Sequence, residues 1–100
     1  MVANNPQPRR SALFSLGSLV ATPGALAALE RARQSPMTFL SRHVTGDWGT
    51  VGDEDKKLND AAVKDGTRIL SAYQTSAGEK LWVITEADRS STTILLPDEY

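Results

Sequence analysis

Cysteine is absent from this chain, and histidine occurs once, at His43. The first absence excludes disulfides and thiolate metal sites, and the second excludes a multi-histidine zinc site built within one chain. No run approaches the roughly 18 apolar residues that a membrane-spanning helix requires. A phosphate loop, a G-x-S-x-G elbow and an H-E-x-x-H motif are also missing, so no cofactor is expected. What remains is 40% apolar and 23% charged, the balance of an ordinary globular domain. One hundred residues suit a single small core. Arg9 and Arg10 precede a mildly apolar stretch at residues 12–20, but Ser15, Gly17 and Ser18 interrupt it. The expectation is a cytoplasmic protein rather than a secreted one.

Net charge is only −1, yet the two halves differ. Residues 1–43 carry five arginines against Glu30 alone, whereas residues 44–100 carry six cations against eleven acids. Such asymmetry marks a basic face for nucleic acid, an acidic face for a basic partner, or opposite charges that meet in the fold.

Residues 1–10 are polar, hold two prolines and lack periodicity, which predicts a flexible tail before a single domain over 11–100. Leu13, Phe14, Leu16 and Val20 suggest a short helix after Ser11. Thr22-Pro23 and Ser35-Pro36 are N-cap-plus-proline pairs, predicting helices over 23–33 and 36–43. A third helix is expected over 53–65, with Asp53, Glu54 and Asp55 in its first turn and Gly66 just beyond its end. Leu58, Ala61 and Ala62 would form its apolar face, and Asp53–Lys57 and Asp60–Lys64 its i,i+4 ion pairs. Aromatic and β-branched runs bounded by turn formers then predict strands over 68–74, 80–85 and 92–96. The fold expected is α+β: about three N-terminal helices followed by a three-stranded antiparallel β-meander.

Four groups of residues are chemical candidates. His43 and Asp47, with Trp48, span a glycine-bearing loop that can bring an imidazole to a carboxylate, as a general base requires. The competing reading is a helix-end histidine on the last carbonyls, above a structural tryptophan. Glu86, Asp88 and Arg89 crowd the connection between the last two strands, where two carboxylates suit a hard cation and an arginine suits a phosphate or a partner. There the competing reading is an aspartate that caps its own turn, with Arg89 paired to a neighbouring acid. Asp53, Glu54 and Asp55 lack the glycine and glutamate spacing of an EF-hand, so no metal site is expected. The first two helices, with Arg31, Arg33 and Arg42, are a weak nucleic-acid candidate.

Three segments together resemble a bacterial group: Leu19-Val-Ala-Thr-Pro-Gly-Ala-Leu26, Arg42-His-Val-Thr-Gly-Asp-Trp-Gly49, and the stretch from Trp82 through Leu96-Pro-Asp-Glu-Tyr100. These are the short uncharacterised proteins of plasmids and integrative elements, often labelled "plasmid-related protein" or given a restriction-subunit name. The resemblance covers roughly residues 16–100 and implies a mobile-element setting, with no activity or catalytic residues attached. The restriction name fits poorly, because a methyltransferase subunit needs a cofactor-binding domain and no glycine-rich βαβ segment is present. The function expected is a small non-enzymatic binding protein, an inhibitor of a host defence system such as CRISPR or restriction machinery. Its partner would be a nucleic-acid-binding protein complex, contacted through Asp53, Glu54, Asp55, Glu86, Asp88 and Arg89. The alternatives are a small toxin-like ribonuclease using His43, Asp47, Glu86 and Arg89, and a DNA-binding regulator. A homodimer formed through a free sheet edge is a further expectation.

Overall fold

The computed structural model describes residues 11–100, and the expected tail at residues 1–10 lies outside the described residues. A short strand comes first, β1 (Ser18–Ala21), followed by α1 (Pro23–Ala32), α2 (Pro36–Val44) and α3 (Asp53–Asp65). Strands β2 (Ile69–Gln74), β3 (Lys80–Thr85) and β4 (Ser91–Leu95) follow, and a 3-10 turn (Pro97–Glu99) closes the chain. The proline caps act as the sequence predicts. Thr22 accepts the Ala25 N–H at 3.2 Å, and Ser35 accepts the Met37 N–H at 3.1 Å. Gly66, at φ 73°, ends α3 in the left-handed conformation.

The expected three-stranded antiparallel meander after the helices is wrong. The sheet has four strands in the order β1-β4-β3-β2, and β1 pairs with β4 in parallel. The segment expected to be a helix therefore supplies a strand. Two local features favour that outcome. Gly17 turns the chain at φ 66°, with its α-carbon against the carbonyls of Arg89 and Ser90, where any side chain would collide. Thr22 must also stay extended to cap α1, and its N–H donates to Ile94 at 3.0 Å. Register then places Ser18 opposite Ser91 and Ala21 opposite Ile94.

Strand alternation divides the sheet into two faces. Ile69, Ser71, Tyr73, Leu81, Val83, Thr85, Thr92 and Ile94 are buried toward the helices. Ala25, Ala28 and Leu29 of α1, with Phe39 and Leu40 of α2, complete the main core against Tyr73, Leu81, Val83 and Ile94. Each such large apolar side chain contributes about 1.5–3 kcal/mol on full burial. On the opposite face Trp82 meets the Tyr100 ring edge-on at 5.6 Å, and Arg68 lies over that ring at 5.2 Å. Glu99 anchors this C-terminal segment to the start of α1, accepting from the Thr22 hydroxyl, the Gly24 N–H at 3.0 Å and the Leu96 N–H at 2.9 Å.

The two outer edges of the sheet are treated differently. Along β2 the outward groups belong to Leu70, Ala72 and Gln74. Asn59 of α3 donates to the Leu70 carbonyl at 2.8 Å and accepts the Leu70 N–H at 3.3 Å. Ala72 donates to the Trp48 carbonyl at 3.2 Å and accepts from the Thr50 N–H at 2.7 Å. That β2 edge is closed at Leu70 and Ala72, and Gln74 at its end has no backbone partner among the described residues. The closure also explains why α3 buries Asn59 and Ala62 rather than the expected Leu58, Ala61 and Ala62: the asparagine is held against strand backbone, and Leu58 faces solvent. Along β1 nothing among the described residues occupies the corresponding positions.

Candidate functional site

His43 sits where α2 crosses the sheet, and it is 0% exposed. Its Nδ1 lies 2.6 Å from the Ser71 hydroxyl, and its Nε2 lies 2.9 Å from that of Thr85. Thr85 is in turn 2.7 Å from the Thr92 hydroxyl, which donates to the Leu16 carbonyl at 2.7 Å. That final acceptor assigns every proton in the row. A carbonyl only accepts, so Thr92 gives it its hydrogen and must receive one from Thr85. Thr85 has then used its own hydrogen, so His43 donates through Nε2–H and accepts at Nδ1 from Ser71. The imidazole is held neutral in a single tautomer.

Protonation would place a second donor opposite Ser71 and a cation in the core. Burial, reinforced by the positive charge of Arg89, lowers the His43 pKa from 6.5 to about 4. Phe14 meets the ring edge-on at 5.2 Å and Trp48 does so at 6.0 Å, which closes the remaining sides. A general base must reach a substrate proton, and this ring reaches only the protein itself.

His43 and Asp47 are not brought together as a catalytic pair, because both ring nitrogens belong to hydroxyls. Nor does His43 rest on helix-end carbonyls. The Asp47 carboxylate pairs with Arg42 at 2.7 Å and accepts the Gly49 N–H at 3.2 Å. The Asp47 carbonyl accepts the Tyr73 hydroxyl at 2.6 Å, and burial raises that phenol to about 12. Trp48 is 4% exposed and packs with Ala62, Ile69, Phe14, Val51 and Val63. Its indole N–H donates to Asp60 at 2.9 Å, so Asp60 serves the tryptophan rather than Lys64.

Arg89 occupies the left-handed region at φ 61°, and its guanidinium turns inward. It donates to the carbonyls of Thr67 at 2.6 Å and Ala62 at 2.8 Å, and more weakly to Glu86 and Ala87. Its charge thereby caps the C-terminal end of α3 and lies 5.5 Å from the Phe14 ring. Asp88 accepts the Ser90 N–H at 3.0 Å, and its hydrogen bonds to Ser90 hold its carboxyl below the usual range. Glu86 is exposed. Asp53, Glu54 and Asp55 are exposed at the far end of α3, roughly 18 Å away at 1.5 Å per residue. The two acidic groups do not converge, and the Asp53–Lys57 pair does not form.

The basic candidates are dispersed as well. Arg31 forks onto Glu79 at 2.8 and 2.6 Å, Arg42 holds Asp47, and Arg33 forms the C-cap of α1. Charges of the two halves thus meet in the fold. Among the described residues no group of three or more histidine, aspartate or glutamate side chains can hold a metal, and no helix is long and apolar enough to cross a membrane. A polar hollow of about 500 Å³ opens beside Ser41, Arg42, Thr45, Gly46 and Asp47. An apolar groove of about 310 Å³ lies between β1 and α2, lined by Leu19, Val20, Ala21, Met37, Leu40 and Ile94.

Sequence reasoning missed Ser71, Thr85 and Thr92, although one signal was present. All three hydroxyls occupy inward positions on strands of alternating pattern, and buried hydroxyls require hydrogen-bond partners, which His43 supplies for Ser71 and Thr85. It missed the β1 groove outright, having expected a helix there. Compared with known proteins, the chain matches no family model, no curated protein and no solved structure.

Proposed function

We propose that this protein acts by binding another protein and not by catalysis, as a cytoplasmic inhibitor encoded by a mobile element and directed at a host defence complex. The observation that carries this reading is the division of its charges. Arg31, Arg42 and Arg89 are turned onto Glu79, Asp47 and backbone carbonyls. Asp53, Glu54, Asp55 and Glu86 are exposed outside the two ion pairs of the described residues, and with Lys56 and Lys57 exposed beside the first three, the start of α3 keeps an excess of one acid. A partner that binds nucleic acid presents basic grooves, and complementary potential speeds and orients such encounters. Resemblance to plasmid and integrative-element proteins supplies the setting. Burial of His43 weighs against the ribonuclease alternative, and the internal pairing of Arg31 and Arg42 weighs against DNA recognition.

The test is expression in hosts carrying CRISPR or restriction systems, scored by phage plating and by pull-down. The expected result is loss of defence with a co-purifying complex, both abolished by the triple change Asp53→Asn, Glu54→Gln, Asp55→Asn. That variant should stay folded and lose about 1–3 kcal/mol, since it removes three exposed charges from the first turn of α3, each contributing about 0.3–1 kcal/mol against the helix dipole. Undisturbed defence without a stable complex, or RNA cleavage on induction, would refute the reading.

A further inference from the structure

Parallel pairing with β4 consumes every second residue of β1. The Ser18 N–H donates to Ser90 at 3.0 Å and the Thr22 N–H to Ile94 at 3.0 Å, so even-numbered positions face β4. The N–H and C=O groups of Leu19 and Ala21 therefore point outward from the sheet. Exposed strand edges are ordinarily guarded by a charge, a proline or a covering segment. Here the sequence from Ser11 through Leu29 has no charged residue, and no proline falls inside the strand. Beside the edge stand Leu19 and Val20, 54% and 48% exposed, and Met37 of α2, 54% exposed. They border the 310 Å³ apolar groove.

We propose that this edge pairs with the same edge of a second copy, antiparallel across a two-fold axis, to make one eight-stranded sheet. The register is fixed by the strand itself. Leu19 of each copy faces Ala21 of the other as hydrogen-bonded pairs, giving four main-chain hydrogen bonds, and the two Val20 residues meet on the axis. The ladder ends where Gly17 leaves the extended region at φ 66° and would face Pro23, which has no N–H. Leu19 of each copy lies across from Ala21 in the wall of the other's groove. A second copy fits better than a charged peptide, because the uncharged segment from Ser11 through Leu29 offers such a peptide no partner and sets no like charges against its own copy. The acidic residues of α3 lie beyond β2, at the two far ends of the dimer, so the pairing does not depend on the binding role proposed above.

The test is sedimentation of the full chain over a concentration series, with amide exchange read at Leu19 and Ala21. The expected result is a species of twice 10.8 kDa, with those two amides becoming protected as the dimer forms. Val20→Lys sets like charges face to face and should weaken dimerisation more than about tenfold with an unchanged circular dichroism spectrum. If Val20→Lys fails to fold, Leu19→Thr is the substitute: it keeps a strand-forming residue, removes apolar contact, and should weaken the dimer in the same direction. A monomer at all concentrations overturns the proposal, whether its amides exchange freely or are shielded by its own chain. So does a dimer that both variants leave intact. Loss of the dimer with defence inhibition retained would leave the inhibitor reading standing, and the converse would leave the dimer standing.

Discussion

The two edges of this sheet are built from similar amounts of backbone and finished in opposite ways. At β2, Asn59, Trp48 and Thr50 satisfy Leu70 and Ala72, and the loop carrying Trp48 and Thr50 is fastened by Trp48 on Asp60 and by Tyr73 on the Asp47 carbonyl. At β1 the outward residues have no partner among the described residues, and the side chains around them are apolar and exposed. Most of the chemically conspicuous residues, His43, Asp47, Trp48 and Arg89, are gathered toward the closed side, where each is engaged by the protein's own groups. The difference teaches that chemical conspicuousness in a small domain is a poor guide to function when burial and pairing already account for it.

Removing the anchor of the closed edge should give the largest effect. Trp48→Ala leaves a cavity among Phe14, Val51, Ala62, Val63 and Ile69 and frees the loop, and should cost roughly 3–5 kcal/mol in urea unfolding. A loss below about 1 kcal/mol would mean that the loop is not held by its tryptophan.

Acid sharpens the same contrast. The folded pKa of His43, about 4, lies below its unfolded value of 6.5, so between those values the unfolded chain binds the extra proton. The stabilisation is complete above pH 6.5 and is lost as the pH falls toward 4. The full difference is roughly 3 kcal/mol. Urea midpoints measured across that window should fall for the native chain, and His43→Leu should flatten the dependence while lowering stability at neutral pH. Arg89→Ala should raise the histidine pKa, because it removes the nearby cation.

Gly49→Ala is the smallest of these changes in mass and the most pointed. A Cβ at Gly49 would sit 1.9 Å from the Ala72 carbonyl, at φ 77°. Strain of this kind costs about 1–3 kcal/mol, and detaching the loop relieves it. The variant should expose Ala72, so its amide should exchange faster while those of β3 stay protected. Unchanged protection at Ala72 would break the comparison.

Much of the architecture was legible because it is local. Thr22-Pro23 and Ser35-Pro36 announce their helices within a few residues, Gly66 ends the third, and alternation marks β2, β3 and β4. β1 was not legible. It has four residues, follows a glycine, and acquires its conformation from β4, more than seventy positions later in the chain. The polar row fails for the same reason, since His43 meets Ser71 and Thr85 only after the sheet has assembled. Arg89 was legible as an unusual residue in a turn, but its carbonyl partners at Ala62 and Thr67 depend on where α3 ends. The acidic residues of α3 are where the sequence puts them, on an exposed first turn.

The central claim is that the lone histidine serves the core and leaves function to the surface. Nitrogen-detected NMR of the His43 ring tests it directly, through tautomer and titration together. The account predicts a ring that is neutral and protonated on Nε2 at neutral pH and that titrates only at about 4. A ring protonated on Nδ1, or one that titrates near 6.5, would contradict it and return His43 to the list of groups able to act on a substrate.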